Sequence, residues 1–175
     1  MNKNYRALPV RLASENIVLI SPGDDLPEHV AITNPAINVM TDLSRVVPAT
    51  VGLNTPIDRA EERMRHSRVR LLFVVNEPGA LLGLVTLNDI KGDRPLRFQR
   101  ESGVSHQEVL VRDIMTPREK LEVMNMSDVA EACVGDIVET LMRTGRKHAL
   151  VEERTSSGNA IRGIFSVTRI GKQLG

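Results

Sequence analysis

Apolar positions along the chain fall into short unbroken runs that alternate with stripes at helical spacing. Thr50, Val51, Gly52 and Leu53 read as a short extended piece. Thr55-Pro56-Ile57-Asp58 then opens a helix, with Thr as the cap, Pro at the first helical position and Asp closing a capping box. Ile57, Ala60 and Met64 fall on one face of it, while Arg59, Glu61, Glu62, Arg63 and Arg65 fall on the other. Residues 71–75 are apolar throughout, which predicts a strand buried on both sides. Asn76-Glu77-Pro78-Gly79 is a turn, 81–86 the returning strand, and a short helix starts near Leu87 and ends around Gly92.

The same grammar recurs downstream. Residues 121–126 are extended, and Val134, Ile137, Val138, Leu141 and Met142 form a helical stripe stopped by Gly145. Residues 148–151 are a strand, 153–159 a polar turn, 161–166 the returning strand, and a last helix carries Ile170 and Leu174. Val39-Met40-Thr41 matches Ile114-Met115-Thr116, Met64-Arg65 matches Met142-Arg143, and Gly83-Leu84-Val85-Thr86 matches Gly163-Ile164-Phe165-Ser166. The chain is therefore an internal repeat. Two β-α-β-β-α units, 36–92 and 109–175, are joined by a polar connection, 93–108, expected at the surface, and preceded by an extension, 1–35, with a strand expected at 17–20. A unit of that size buries only ~60% of its unfolded surface. The expectation is an α+β fold in which the two units pack sheet to sheet about a pseudo-two-fold axis.

Composition narrows the function classes. Of 175 residues 41% are hydrophobic and the formal net charge is +1, which fits a globular core and argues against a nucleic-acid polyelectrolyte or a basic membrane-surface protein. Three Phe, one Tyr and no Trp disfavour base-stacking and sugar-stacking platforms. A single cysteine, Cys133, excludes an intrachain disulfide or a multi-thiolate metal site, and a packed thiol is its expected role. His29, His66, His106 and His148 lack ligand spacing, so no metal is expected. No run is long enough for a membrane helix or a signal peptide, so a cytoplasmic protein is expected. No nucleophile-elbow, P-loop, zincin or dinucleotide motif is present, and no catalytic role is expected.

The repeat resembles the CBS domain pair, or Bateman module. The resemblance rests on the Val39-Met40-Thr41 and Ile114-Met115-Thr116-Pro117 openings, the helix endings at Met64 and Met142, and the closing motif Gly-h-h-Thr/Ser-x-x-Asp-h. That motif is complete at 83–90, whereas the second copy, 163–170, carries Arg169 where the family has Asp. It implies a non-catalytic regulatory module that needs no cofactor. Such modules bind an adenosyl ligand (AMP, ADP, ATP or S-adenosylmethionine) between the copies, and they commonly pair into dimers. It also implies a stand-alone homodimer signalling to an effector protein in trans, with Met40, Thr41, Met115 and Thr116 near the base pocket.

Physical chemistry supports a site at the same turn. A strand ending at Thr86 with a helix directly after it offers free backbone amides to an anion. Asp89 offers carboxylate lone pairs to a ribose diol, and Thr86 offers a hydroxyl to a phosphate oxygen. Thr-x-x-Asp is equally a plain capping box. Ser166 keeps the hydroxyl in the second copy, while Arg169 is either a phosphate donor or a solvated side chain beside an inactive pocket. His148, with Arg143, Arg146 and Lys147 before it, either meets phosphate or marks a solvated helix end. The alternative function is a ligand-free structural dimerisation module. Nucleic-acid binding through Arg94, Arg97 and Arg100 is a third reading, and those arginines otherwise lie at the surface.

Overall fold

The computed structural model describes residues 27–77, 79–156 and 158–175, so the strand expected at 17–20 lies outside them. The first repeat contributes β1 (Thr41–Asp42), β2 (Thr50–Val51), α1 (Ile57–His66), β3 (Leu71–Val75), β4 (Leu81–Thr86) and α2 (Leu87–Lys91). Helix α3 (Asp93–Ser102) follows. The second repeat then contributes α4 (Val111–Ile114), β5 (Thr116–Pro117), β6 (Val123–Asn125), α5 (Met126–Glu131), α6 (Val134–Thr144), β7 (His148–Thr155), β8 (Gly158–Ser166) and α7 (Val167–Leu174).

These strands form two four-stranded sheets, β2-β3-β4-β5 and β1-β8-β7-β6. In each, a parallel pair is followed by two antiparallel pairs. Each repeat lends its opening strand to the sheet of the other: Thr41 pairs with Ile164 on β8, and Thr116 pairs with Leu84 on β4.

Alternation along the central strands builds the layers. Leu72 and Val74 point to the helices of the first repeat and join Ile57, Ala60, Met64, Val85 and Ile90 in its core. Their neighbours Leu71 and Phe73 point the other way and meet Leu150 of the second repeat across the seam. Residues 71–75 are thus buried on both faces, as their unbroken apolar run predicts. The second core repeats the first around Val134, Ile137, Leu141, Val151, Phe165 and Ile170. Buried side chains are fewer at the seam, but each helix-facing core also takes in residues of the other repeat, Ala36, Val39 and Met40 in the second core and Val109, Val111 and Ile114 in the first, so apolar burial joins the repeats in both cores as well as at the seam.

The structure corrects several local expectations. The connection after Gly92 is mostly helical: Pro95, in the first turn of α3 where its missing amide costs nothing, is buried, and Phe98 packs on the first core. Thr55 and Asp58 form no capping box. The backbone there pairs instead with the start of the second repeat, through Ile57 N to Val109 O at 3.1 Å and Val111 N to Thr55 O at 2.9 Å. Asp58 faces His106 at 3.3 Å. The counterpart of Pro56 is Cys133, whose amide donates to Asp136 Oδ2 at 2.8 Å at the start of α6. Met142, one position past buried Leu141, turns into solvent at 72% exposure. The expected polar turn at 153–159 is largely strand, because β7 and β8 stay paired out to Thr155 and Gly158, past a one-residue register shift between Val151 and Glu152. Only Val123–Asn125 of the expected extended piece is strand, and α5 follows it. In α7 the residue buried beside Ile170 is Gln173, which donates from Nε2 to Pro27 O at 2.8 Å, while Leu174 is partly exposed.

Glycine is required where the lent strands cross. A Cβ on Gly83 would collide with the backbone oxygen of Thr116, and one on Gly163 would come within 2.5 Å of Met40 Sδ. The first obstacle is backbone and the second is the end of a flexible side chain. Gly83→Ala is therefore expected to cost more stability than Gly163→Ala, with overpacking penalties of about 1–3 kcal/mol, as read by urea denaturation of the two variants.

An ion pair fastens the β1 crossing. Arg162 grips Asp42 with both arms, Nε to Oδ1 at 2.9 Å and Nη2 to Oδ2 at 3.0 Å, and also donates to Glu153 at 2.8 Å. Arg162 above all, helped by Ser44, holds the Asp42 carboxyl far below the usual carboxylate range against the opposing effect of burial. Because the folded state depresses this ionisation, its stabilising contribution is present above about pH 4 and is lost as pH falls below that value. Arg162→Met is expected to lower stability by about 1–3 kcal/mol at pH 7. Parallel melting curves should show the gap to the parent protein closing as pH falls from about 4 towards 2.

Candidate functional site

Thr86 ends β4 in extended conformation and α2 begins at the next residue. The capping box there is complete: Thr86 N donates to Asp89 Oδ2 at 2.8 Å, Thr86 Oγ1 donates to the same oxygen at 2.7 Å, and Asp89 N meets Thr86 Oγ1 at 3.2 Å. Leu87 N is taken by Arg70 O at 2.9 Å. The row of bare amides expected for an anion is therefore mostly occupied, and α2, five residues long, has little dipole to offer.

Cations supply what the amides do not. The turn opens onto a cleft of about 410 Å³ that both repeats line. Thr86, Asp89, Arg70 and Arg94 come from one side, and Thr116, Glu122, Arg146, Lys147 and His148 from the other. Arg94, expected at the surface, reaches in: Nη1 lies 3.0 Å from Asp89 Oδ1, donates to Ile114 O at 2.7 Å and approaches Thr116 Oγ1 at 3.3 Å. Arg146 pairs with Glu122 at 2.7 Å. Arg70 and Lys147 hold equivalent places, each immediately before the central strand of its repeat, with its carbonyl accepting from the first residue of the closing helix. Neither forms an ion pair among the described residues. Arg143 instead pairs with Glu139 on the outer face of α6.

Of the residues singled out by sequence, Thr86, Asp89, Thr116 and His148 line this cleft, together with Arg94, Arg146 and Lys147. The others lie elsewhere. Met40 is buried in the second core against Gly163, and Met115 packs on the first core. Thr41 and Arg169 meet each other, Arg169 Nη1 donating to Thr41 Oγ1 at 3.1 Å. That contact mirrors Arg94 on Thr116, so one guanidinium on α7 stands where the first repeat uses an Asp–Arg pair. Ser166, unlike Thr86, makes no side-chain capping bond. Arg70 was missed by sequence reasoning. Its one signal was its place before an apolar strand, matching Lys147 before residue 148.

His148 carries the electrostatic signature of the cleft. Burial first, then the charges of Lys147 and Arg70, push its pKa below the usual histidine value, with Asp89 pulling weakly the other way. The ring is therefore neutral at pH 7. Arg70→Gln is expected to raise the His148 pKa only in part, because burial is the larger cause; NMR titration of the ring proton would show it.

Comparison with known proteins follows this geometry. Residues 36–92 match the family model for the CBS domain. An uncharacterised conserved protein from Pyrococcus horikoshii superposes with a TM-score of 0.58 at 23% identity, over 82% of this chain and 93% of that one. A CBS-domain-containing protein from Agrobacterium tumefaciens gives 0.55 at 19%, over 75% and 88%. CBSX2, a CBS-pair protein of Arabidopsis thaliana, solved in complex with AMP, gives 0.53 at 19%, over 79% and 94%. No match is found among curated proteins.

Proposed function

We propose that this protein, a CBS-domain protein with the fold of a CBS pair, is a non-catalytic regulatory module that senses an adenosyl ligand in the cleft at Asp89. The observation that carries the reading is the meeting, in one cleft shared by both repeats, of a carboxylate able to accept a ribose diol and the cations Arg70, Arg94, Arg146 and Lys147. A volume of about 410 Å³ falls in the range that takes small ligands, ~300–1,000 Å³. The AMP complex of the similarly folded CBSX2 supports the choice of AMP, ADP, ATP or S-adenosylmethionine. Thr86, Thr116 and His148 complete the pocket. Ser166, Arg169, Thr41, Met40 and Met115 belong to the pseudo-equivalent positions and their packing.

The signalling part of the reading is a homodimer that passes a ligand-dependent change to an effector protein in trans, in the cytoplasm. It requires different affinities in two states, since equal affinity shifts nothing. Among the described residues no helix is long and apolar enough to cross a membrane.

One observation favours the alternative, a structural dimerisation module with no small ligand: both oxygens of Asp89 already have partners in the capping box and Arg94. Thermal melting separates the two. For a sensor, a millimolar adenosyl compound raises the melting temperature and Asp89→Ala abolishes the rise. For the structural module, none of the four ligands moves the curve, and Asp89→Ala only removes the cap, at about 1 kcal/mol.

A further inference from the structure

We propose that Arg94 is an internal occupant of the Asp89 position, which a ribose diol displaces, and that its release unlatches the strand lent by the second repeat. The inference rests on the reading of Asp89 as the diol acceptor.

Asp89 has two oxygens with unequal freedom. Oδ2 accepts both the amide and the hydroxyl of Thr86 and is fixed by the turn. Oδ1 faces Arg94 Nη1 at 3.0 Å. A vicinal diol bound by a carboxylate donates two hydroxyl protons to it, and here the oxygen that Thr86 leaves open is already held by a guanidinium. Only 13% of the Asp89 side chain is exposed against 49% for Arg94, so Arg94 is the partner with room to move.

Displacement has a consequence beyond the pocket. The same Nη1 is hydrogen-bonded to Ile114 O at 2.7 Å and sits 3.3 Å from Thr116 Oγ1. It thereby ties α3, the end of α4 and the start of β5 to the turn that carries Asp89. The opposite crossing has no such dependence, because Asp42 and Arg162 hold β1 without touching the cleft. A diol that takes Oδ1 loosens one crossing and leaves the other closed. Arg94 is thus a positioning residue that sets affinity by competition, and the binding energy spent on displacing it reaches β5 and α3.

Calorimetric titration with adenosine, which has the diol but no phosphate, tests this on the full chain. Arg94→Met keeps the alkyl stem and removes the competitor, so adenosine is expected to bind it about fivefold tighter than the parent, the equivalent of one partly exposed ion pair. Equal or weaker binding to Arg94→Met overturns the inference and leaves the adenosyl reading standing. Absence of binding of adenosine and AMP to both proteins overturns that reading and this inference with it. Amide exchange on the parent protein gives a readout that needs no variant: saturating adenosine should speed exchange at residues 115–116 and in α3 while leaving Thr41 and Asp42 unchanged. Slower or unaltered exchange at 115–116 overturns the unlatching.

Discussion

The fold depends on an exchange: each repeat completes its sheet with two residues lent by the other. The apolar seam between the sheets is thin, with Leu71, Phe73 and Leu150 as its buried members, while the larger helix-facing cores each bury residues of the other repeat, Ala36, Val39 and Met40 in one and Val109, Val111 and Ile114 in the other. Backbone pairing of Thr41–Asp42 on β8 and Thr116–Pro117 on β4, together with the burial of the segments just before them, sets the relative position of the halves. It also explains the two motif glycines, since Gly83 and Gly163 are where the visiting chain passes too close for a Cβ. Conformational freedom is not at issue at either position, because both lie in ordinary extended strand; space is.

The two crossings are chemically unequal. At one, a bidentate pair between Asp42 and Arg162, backed by Glu153 and Ser44, is built into the sheet. At the other, Pro117 and Leu82 stand in the corresponding places, and the tie comes from outside the sheet, through Arg94. The same inequality runs through the closing turns. Asp89 with Arg94 faces Thr116, whereas Arg169 alone faces Thr41. A pseudo-symmetric frame thus carries a strongly asymmetric set of charges, and the cleft lies on the side where an acid remains.

Much of this was legible in the sequence, for reasons that can be named. The run 71–75 could be placed because a strand buried on both sides leaves no polar position. The stop of α6 could be placed because Gly145 takes the left-handed conformation, φ 62°. Thr86 and Asp89 are three residues apart, so their partnership is local. Other features had no local signature. A two-residue strand has no periodicity, and nothing in Thr41-Asp42 or Thr116-Pro117 indicates that its partner is the other repeat. Helix α3 was hidden by its charges, although Pro95 and Phe98 are its inward face. Arg94 acquires its role only through contact with Ile114, 20 positions further along, and a linear reading treats it as one more arginine among three.

The register of the lent strands also orders assembly in time. Thr41, near the start of the described chain, is paired with Ile164, near its end. The helix-facing core of the early half waits for Val109, Val111 and Ile114 to emerge from the ribosome, and the edge at Gly83 and Leu84 waits for residues 116–117. The later sheet in turn closes only with a segment synthesised more than a hundred residues before. Loop-closure entropy of this kind slows folding, and until it is overcome two open strand edges are exposed to neighbouring nascent chains.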